Sequence, residues 1–589
     1  MTVPCPPVDR QTWLSGLFNI RMPASLAIPA IGTILTVALI LVPLITLLLF
    51  SFRQGAPWNP GPFTLRNYEA AYGNSQTYLM FAQTIVFALL STIMSVVLAV
   101  ILAYLTERTD MPFRNAAWAV TLLPMAMPGL LFAMSWTYLL SPKVGLYNLW
   151  FRNILTPFGV EFDSGPIDIY SLTGMIFVEG LRGVATNYLI VVGAFRNMDP
   201  SFEEAARMSG CSNLSTFRRI FLPLMTPIIL AAAIYSFMTH LESLEVPLVI
   251  GFPGKIFVFS SYIYFTTQRL SPPQFGLSAA LGATFLIISI LLVVGYRRIL
   301  GANGRFATVT GKSFRPRRIK LGAWRLPCLI VFLAYLLFTV GGPGLILIWT
   351  SLVPFYAPPS IDMLGDLSLA HYFTVLQEPN VRRAIGNTLV VATIAATLTM
   401  ALSLAVAWVI VRTRYRARSA LDALVFVPHA LPGVIIGISI MLVFIQPPMS
   451  QLGLFGTTGL VAVGLTVAYI SFGSRTMVGA LTQLHQDLEE AGSVAGASWS
   501  QIMMRIILPL LATSFISGWI WVASQSMRNL SIPLMLSTRD SEVLSVVMWQ
   551  KWGDGYPGQT AALGMLLILA LAIIATIGRF IAIRRVKRS

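Results

Sequence analysis

Two opposite charges, Glu179 and Arg182, lie three residues apart within a long apolar stretch. On a helix, residues at this spacing are close enough to form an ion pair. A charge at bilayer depth costs roughly 2.5–3.5 kcal/mol on insertion scales, so mutual pairing or a wet cavity is expected there. A place in a substrate pathway and simple mutual neutralisation explain the two charges equally well.

Two further charges follow apolar stretches that match each other in the two halves of the chain. Glu242 lies in the segment His240–Pro247, and Arg528 occupies the matching place in Ser526–Pro533. Quasi-symmetry around one axis would bring these two side chains together as an ion pair that closes an outer gate. The simpler alternative is a pair of solvated loop charges.

A motif rich in small residues occurs twice, each time in a loop between apolar stretches. Both copies have the same spacing, with three residues before a central glycine and nine residues after it. The first copy comprises Glu204, Ala205, Ala206, Gly210, Ile220, Leu222 and Pro223. The second comprises Glu490, Ala491, Gly492, Gly496, Ile506, Leu508 and Pro509. Acidic residues favour a helix N-terminus, and small residues allow another protein to approach the backbone closely. Two copies at equivalent positions argue against an ordinary amphipathic loop.

The elements that carry these residues are expected to be membrane-spanning helices. The 589 residues are 56% hydrophobic and 11% charged, which is too apolar for an ordinary soluble protein. Several apolar runs reach the ~20 residues that a spanning helix needs, whereas barrel strands would be about 10 residues long and alternating. We therefore predict an all-α membrane protein of about twelve spans. Their expected centres are Val37, Met94, Ala126, Arg182, Ala231, Ile287, Ala334, Leu398, Gly433, Ala468, Ser517 and Ala570.

The chain repeats itself in two tandem halves. The segments Leu65–Tyr68 and Pro124–Gly129 return at a constant separation as Leu369–Tyr372 and Pro428–Gly433. Six spans per half give parallel repeats around an axis along the membrane normal. We expect the first half at residues 1–300, a basic linker at 301–325 and the second half at 326–589. Most Lys and Arg residues fall in the loops on the side of the termini, which predicts cytoplasmic termini.

The formal charge of +17 follows from these basic loops, so we expect no nucleic-acid partner. No His, Cys or carboxylate cluster has metal-ligand spacing, and no metal site is predicted. Gly311-Lys312-Ser313 resembles the end of a phosphate-binding loop, but Phe306 stands where the motif requires glycine. We therefore predict no catalytic residues and no cofactor bound by this chain.

The paired motifs resemble the signature of the permeases of type I ABC importers, which is Glu-Ala-Ala, three residues, Gly, nine residues and Ile-x-Leu-Pro. The resemblance covers about Leu65 to Arg298 and Leu369 to Arg585. It implies that each motif is a coupling helix seated on one of two copies of a separate ATPase subunit, which handles the ATP. It also implies a periplasmic or lipid-anchored substrate-binding protein, contact with membrane lipid and a location in the bacterial inner membrane.

The resemblance is less specific for cargo than for mechanism. The fused halves and the segment Val353–Pro359 look most like ferric-iron permeases, so ferric iron is the expected substrate. Permeases for 2-aminoethylphosphonate, thiamine and polyamines share the architecture and remain alternatives. A major-facilitator transporter would carry a Gly and Asp/Arg signature in the loop after the second span, which Thr106–Arg114 does not fit.

Overall fold

The structure of this protein is a computed structural model, which describes residues 24–158, 163–197, 208–210, 212–302, 319–413 and 416–586. Apart from one antiparallel hairpin of β1 (Arg53–Ala56) and β2 (Asn59–Phe63), the described elements are helices. The α-helices up to the linker are α1 (Ala24–Ser51), α2 (Arg66–Tyr72), α3 (Ser75–Arg108), α4 (Arg114–Thr121), α5 (Gly129–Leu140), α6 (Leu146–Leu155), α7 (Leu172–Asn197), α8 (Asn213–Thr216), α9 (Leu222–Glu242), α10 (Phe259–Gln268) and α11 (Phe275–Ala302).

The second half repeats this order of elements. Its α-helices are α12 (Arg325–Leu336), α13 (Gly342–Leu352), α14 (Ala370–Gln377), α15 (Pro379–Arg412), α16 (Arg418–Phe426), α17 (Gly433–Ile445), α18 (Thr458–Thr482), α19 (Asp487–Val494), α20 (Trp499–Ile502), α21 (Leu508–Arg528), α22 (Ser531–Leu536), α23 (Leu544–Gly553) and α24 (Pro557–Val586). The all-α membrane fold in two repeats is therefore confirmed.

The expected total of about twelve spans differs from the structure at the third span of each half, which is broken. The described residues contain 10 helices long and apolar enough to cross a membrane, or up to 11 if one bent pair is counted. That bent pair is Arg418–Ala430 with Gly433–Ile445, which meet at 107°. In the first half, α4, a 3₁₀ turn at Leu123–Ala126 and α5 take the corresponding place.

The breaks follow from the Pro-Gly pairs at Pro128-Gly129 and Pro432-Gly433. Proline has no backbone N–H and disfavours helical geometry in the residue before it, so the helix ends there. Met127 and Leu431 accordingly have extended backbone, at ψ 125° and 130°. Each break thus leaves backbone groups at the turn without a helical hydrogen bond.

Each half has a core of three long helices, and each packs its first span on the other half. The cores are formed by α3, α7 and α9 and by α15, α18 and α21. Helix α1 packs on α15 and α17 of the second half, whereas α13, the end of the seventh span, packs on α5 of the first. This exchange makes the two halves one bundle.

The linker is described only at its end. Residues 303–318, which include Gly311-Lys312-Ser313, lie outside the described residues. After them, Ile319 forms a parallel bridge with Thr109, and the Leu321 amide donates to Asp110 Oδ1 at 2.9 Å. The linker therefore returns to the end of the first half where α3 finishes, here called the motif end because the motif loops lie there. The opposite end of the bundle is called the far end.

Candidate functional site

The second motif forms a short helix followed by a turn at the motif end. Glu490 and Ala491 are exposed on α19, whereas Gly492 is buried against the next turn of chain. A Cβ at Gly492 would lie 3.0 Å from Ile502 Cγ1, so the small residue allows this close packing. Gly496 has φ +78°, a left-handed conformation that glycine adopts without strain. Helix α19 accordingly ends just before this glycine.

The first motif is described only in its second part. Glu204, Ala205 and Ala206 lie outside the described residues, so their conformation remains a prediction. Gly210 has φ +74°, which matches its counterpart Gly496. The chain then enters α8 and a π-helical turn, Phe217–Phe221, directly before α9.

Both motifs end in the same local geometry. Ile220 lies in the π-turn Phe217–Phe221 and Ile506 in the π-turn Met503–Ile507. The Leu222 and Leu508 amides donate to the carbonyls of Phe217 and Met503, five residues back. Pro223 and Pro509 follow as early residues of α9 and α21, where a missing N–H costs little. Each motif therefore continues directly into a spanning helix that can transmit its movement.

Arg412, which the sequence analysis missed, fixes the second motif to the core. Its Nε donates to Glu489 Oε1 at 2.6 Å and its Nη2 to the Leu484 carbonyl at 2.8 Å. The Arg412 side chain is only 7% exposed. Arg108 holds the matching position in the first half, where it is buried with its guanidinium 5.5 Å from the Phe221 ring centroid. The sequence signal was the Arg-Thr pair that the repeat places at the end of both second spans.

The motif loops present apolar side chains to their surroundings. Met208 and Val494 occupy equivalent positions two residues before the motif glycines, and each is 89% exposed. Leu488 and Met504 add exposed apolar surface beside Val494. An isolated exposed apolar residue is ordinary, whereas these two recur at matched positions in the two repeats.

The structure confirms the contact between Glu179 and Arg182. Arg182 Nη2 lies 2.6 Å and Nε 3.2 Å from the Glu179 carboxylate, which also accepts from Ser243 Oγ at 3.0 Å. Glu179 is fully buried, and Arg182 Nη1 reaches a second carboxylate, Glu245, at 3.9 Å. These groups lie where α7 meets the chain after α9, so they form one buried ionic cluster.

Glu242 and Arg528 do not form the expected ion pair in this conformation. Arg528 Nη1 instead donates to the carbonyl of Met125, in the 3₁₀ turn of the broken span of the first half. Among the ion pairs between described residues, none joins Glu242 to Arg528. Helix packing brings Arg528 to a carbonyl that the break at Pro128 leaves free. The contact is therefore between the two halves, but its acceptor is backbone.

Both broken spans approach the same segment of their own half. A Cβ at Gly129 would lie 2.8 Å from Arg182 Nη1 and 3.2 Å from Glu245 Oε2. A Cβ at Gly433 would lie 2.9 Å from Ser531 Cβ, the residue that matches Glu245 in the repeat. The glycines thus let each break contact the segment that follows the fifth span.

The charges of this region come mainly from the first half. Glu179 and Arg182 correspond to Leu465 and Ala468, and His240 to Ser526. His240 Nδ1 lies 3.1 Å from Thr92 Oγ1, and Asn187 donates to Ser95 and Ser236 at 2.9 and 2.7 Å. Within the described residues, no group of three or more His, Cys, Asp or Glu side chains is placed to hold a metal ion.

The chain has two tandem repeats of spanning helices, a broken third span in each repeat and a motif loop in each. These features define a helical membrane protein of the transport-permease class. The family model described as "Binding-protein-dependent transport system inner membrane component" matches residues 95–301 and 398–588. The chain belongs to this family. It is accordingly a multi-pass protein of the bacterial inner membrane, and the major-facilitator alternative does not fit.

Several relatives are named for iron transport. The chain is 27% identical over 413 residues to the ferric transport system permease protein FbpB of Actinobacillus pleuropneumoniae, covering 69% of this chain and 58% of that protein. The chain thus spans little more than half of that relative's length. It is 23% identical over 497 residues to the Fe(3+)-transport system permease protein FbpB 2 of Haemophilus influenzae, covering 83% and 87%.

Other similar proteins are named for different substrates and match a smaller part of this chain. The sulfate transport system permease protein CysT of Escherichia coli is 26% identical over 233 residues, which cover 37% of this chain and 82% of CysT. A solved bacterial alginate ABC transporter in complex with a pentasaccharide-bound periplasmic protein matches with a TM-score of 0.36 and 18% identity, covering 45% of this chain and 94% of that one.

Proposed function

We propose that this chain is the permease of an ATP-driven importer and forms the substrate pathway between its two halves. The observation that carries this proposal is the pair of motif loops, which present exposed apolar residues at equivalent positions and continue into spanning helices α9 and α21. Two copies of a separate ATPase subunit would bind these loops, one copy each. Closure of the ATPases would then move both helices together.

The proposal assigns no catalysis to this chain. ATP hydrolysis belongs to the partner subunits, so no cofactor is bound here and the protein is not an enzyme. A periplasmic or lipid-anchored binding protein would deliver the substrate to the far end. The buried cluster of Glu179, Arg182 and Glu245, with Arg528 at the Met125 carbonyl, lies beside the breaks and lines the proposed pathway.

Ferric iron is the proposed substrate. Support comes from the relatives named for ferric transport, one of which is matched over most of both chains. The chain is also similar to a protein named as a sulfate permease, so similarity to this family does not by itself identify the substrate. Importers of 2-aminoethylphosphonate, thiamine or polyamines therefore remain the alternatives that the experiment must include.

Uptake of labelled ferric iron tests mechanism and cargo together. Cells would express this permease with its own ATPase and binding protein, as wild type or with Glu204→Lys and Glu490→Lys. We expect strong uptake by the wild type and background uptake by the double variant at equal membrane abundance. Gln483→Lys is the matched control, because it adds a positive charge to the same exposed loop outside the motif.

The outcomes separate the two parts of the proposal. Iron uptake at the level of cells without the permease would reject iron, and the same assay would continue with aminoethylphosphonate, thiamine and polyamines. Normal uptake of any of these substrates by the double variant would reject the coupling role of the motif loops.

A further inference from the structure

Helix α6 carries an apolar face that the described part of the bundle does not cover. Trp150 and Ile154 on α6, and Phe158 in the 3₁₀ turn Thr156–Phe158 that follows it, are spaced four residues apart and are 55%, 61% and 78% exposed. Side chains at this spacing share one side of a helical segment. Phe151, beside them, is also exposed. The result is a continuous apolar stripe along the connection between α5 and α7.

The base of α6 is fixed to the bundle. The Asn148 amide donates to the carbonyls of Leu140 at 2.9 Å and Ile167 at 2.7 Å, and its Oδ1 accepts from the Ile167 amide at 3.2 Å. Tyr147 packs its ring 6.2 Å from the rings of both Trp136 and Phe338. Helix α6 is therefore held in one orientation against the spanning helices.

The position of Tyr147 places α6 at the depth of a membrane interface. The Tyr147 hydroxyl lies against Gly342, where a Cβ would be 2.5 Å away. The rise from Arg325 at the motif end to Gly342 is about 25 Å along the seventh span. A hydrocarbon core is roughly 30 Å thick. If Arg325 lies near the membrane interface at the motif end, Gly342 therefore lies near the interface at the far end.

The seventh span faces lipid on the membrane side of α6. On α12, Ile330 is 56% and Leu333 51% exposed, between Arg325 and Gly342. Asn153 is exposed about 100° around α6 from Ile154, and the buried Asn148 lies on the bundle side. Helix α6 thus has one side against the bundle, one apolar side and one polar side. A helix lying in the membrane interface needs an apolar side for the acyl chains and a polar side for water and headgroups.

We infer that α6 lies in the far membrane interface with Trp150, Ile154 and Phe158 inserted among the phospholipid acyl chains. Trp residues are favoured at this depth, where the ring meets both acyl chains and headgroups. The second half has no equivalent: its connection between α17 and α18 contains only the 3₁₀ turn Met449–Leu452. Lipid anchorage of the α5–α7 connection is thus a property of the first half alone, and it does not depend on the transported substrate.

A depth measurement with a single attached fluorophore tests this inference. The background is the full-length protein with its three native cysteines replaced by Ser. Ile154→Cys and Asn153→Cys are each labelled with a polarity-sensitive nitrobenzoxadiazole probe and reconstituted into phosphatidylethanolamine–phosphatidylglycerol vesicles with or without acyl-chain spin-labelled lipid. The two sites are adjacent in sequence and both exposed, which makes Asn153 the matched control.

We expect the probe at position 154 to emit at shorter wavelength and to be quenched several-fold more strongly by the spin-labelled lipid than the probe at position 153. Equal, weak quenching at both positions would overturn the inference. If the position-154 probe is weakly quenched in vesicles but shifts to shorter wavelength on addition of the binding protein, the stripe binds protein instead, and the lipid assignment is rejected.

Discussion

At the scale of single residues, the spacing along the sequence identifies the partner of one partly buried arginine but not of the other. Glu179 and Arg182 pair locally because they lie one helical turn apart. Arg528, by contrast, finds the Met125 carbonyl in the other half. Both contacts lie beside the broken span of the first half, but only the Arg528 contact joins the two halves.

Removing Arg182 leaves a buried carboxylate without its cation. We expect Arg182→Met to lower the free energy of unfolding by about 3–5 kcal/mol, the usual loss when one partner of a buried pair is removed. Arg196→Met is the control, since Arg196 is 55% exposed in its 2.7 Å pair with Glu107 and its loss costs about 0–1 kcal/mol. Titration of the purified protein with denaturing detergent measures both, and equal losses would contradict the buried-pair assignment.

Exchanging the charges of Glu242 and Arg528 discriminates between the expected ion pair and the observed contact. We expect Arg528→Glu to impair transport because a carboxylate cannot donate to the Met125 carbonyl. The double variant Glu242→Arg with Arg528→Glu would remain impaired for the same reason. Recovery of transport by the double variant would show instead that the two side chains pair at some stage of the cycle.

At the scale of elements, the second motif is a helix, a glycine turn and a π-turn that opens a spanning helix, and the described part of the first motif has the same glycine turn and π-turn. The left-handed glycine permits the sharp turn, and the ion pair of Arg412 with Glu489 holds α19 on the end of α15. The element is consequently rigid at its base while its exposed face is available to a partner.

A substitution at the turn glycine tests this rigidity. Gly496→Ala places a Cβ at φ +78° and is expected to destabilise by about 1–2 kcal/mol, with weaker binding of the ATPase subunit. Gly479→Ala, in α18 with open space around its Cβ, is expected to be neutral or stabilising by up to about 1 kcal/mol. Detergent titration and ATPase co-purification measure the two effects, and identical behaviour of both variants would contradict the role of the turn.

At the scale of the whole molecule, the halves are joined by exchanged first spans. Helix α1 packs mainly on the second half, whereas α12 and α13 contact the first half and α13 also packs on α24 of its own half. Helices α3 and α15, 34 residues each, are about 50 Å long and extend beyond a 30 Å hydrocarbon core. The bundle thus presents structured surfaces beyond the membrane as well as within it.

Splitting the chain tests the exchange. We expect residues 1–312 and 313–589, produced as separate chains, to co-purify in equal amounts because helix packing, and not the linker, joins the halves. Removal of residues 1–51 from the first fragment should reduce the recovered complex several-fold, since α1 packs on α15 and α17. Unchanged co-purification without α1 would show that the exchange adds little to association.

The sequence by itself determined the class of protein, the repeat and the motif loops. These follow from apolar run length, from a constant separation between matching segments and from short-range geometry, all of which are local properties of the chain. It also predicted the contact of Glu179 with Arg182, because residues three apart on a helix are neighbours in any fold.

Only the tertiary structure decided which distant groups meet. Run length predicts a third span in each half, but only the structure shows how far it bends: the second-half span bends by 107°, and each break contacts the segment after the fifth span. The break at Pro128-Gly129 in the first half leaves the Met125 carbonyl for Arg528, which does not pair with Glu242. The partner of Arg412 and the depth of α6 likewise depend on helix packing between residues far apart in the chain, which no periodicity encodes.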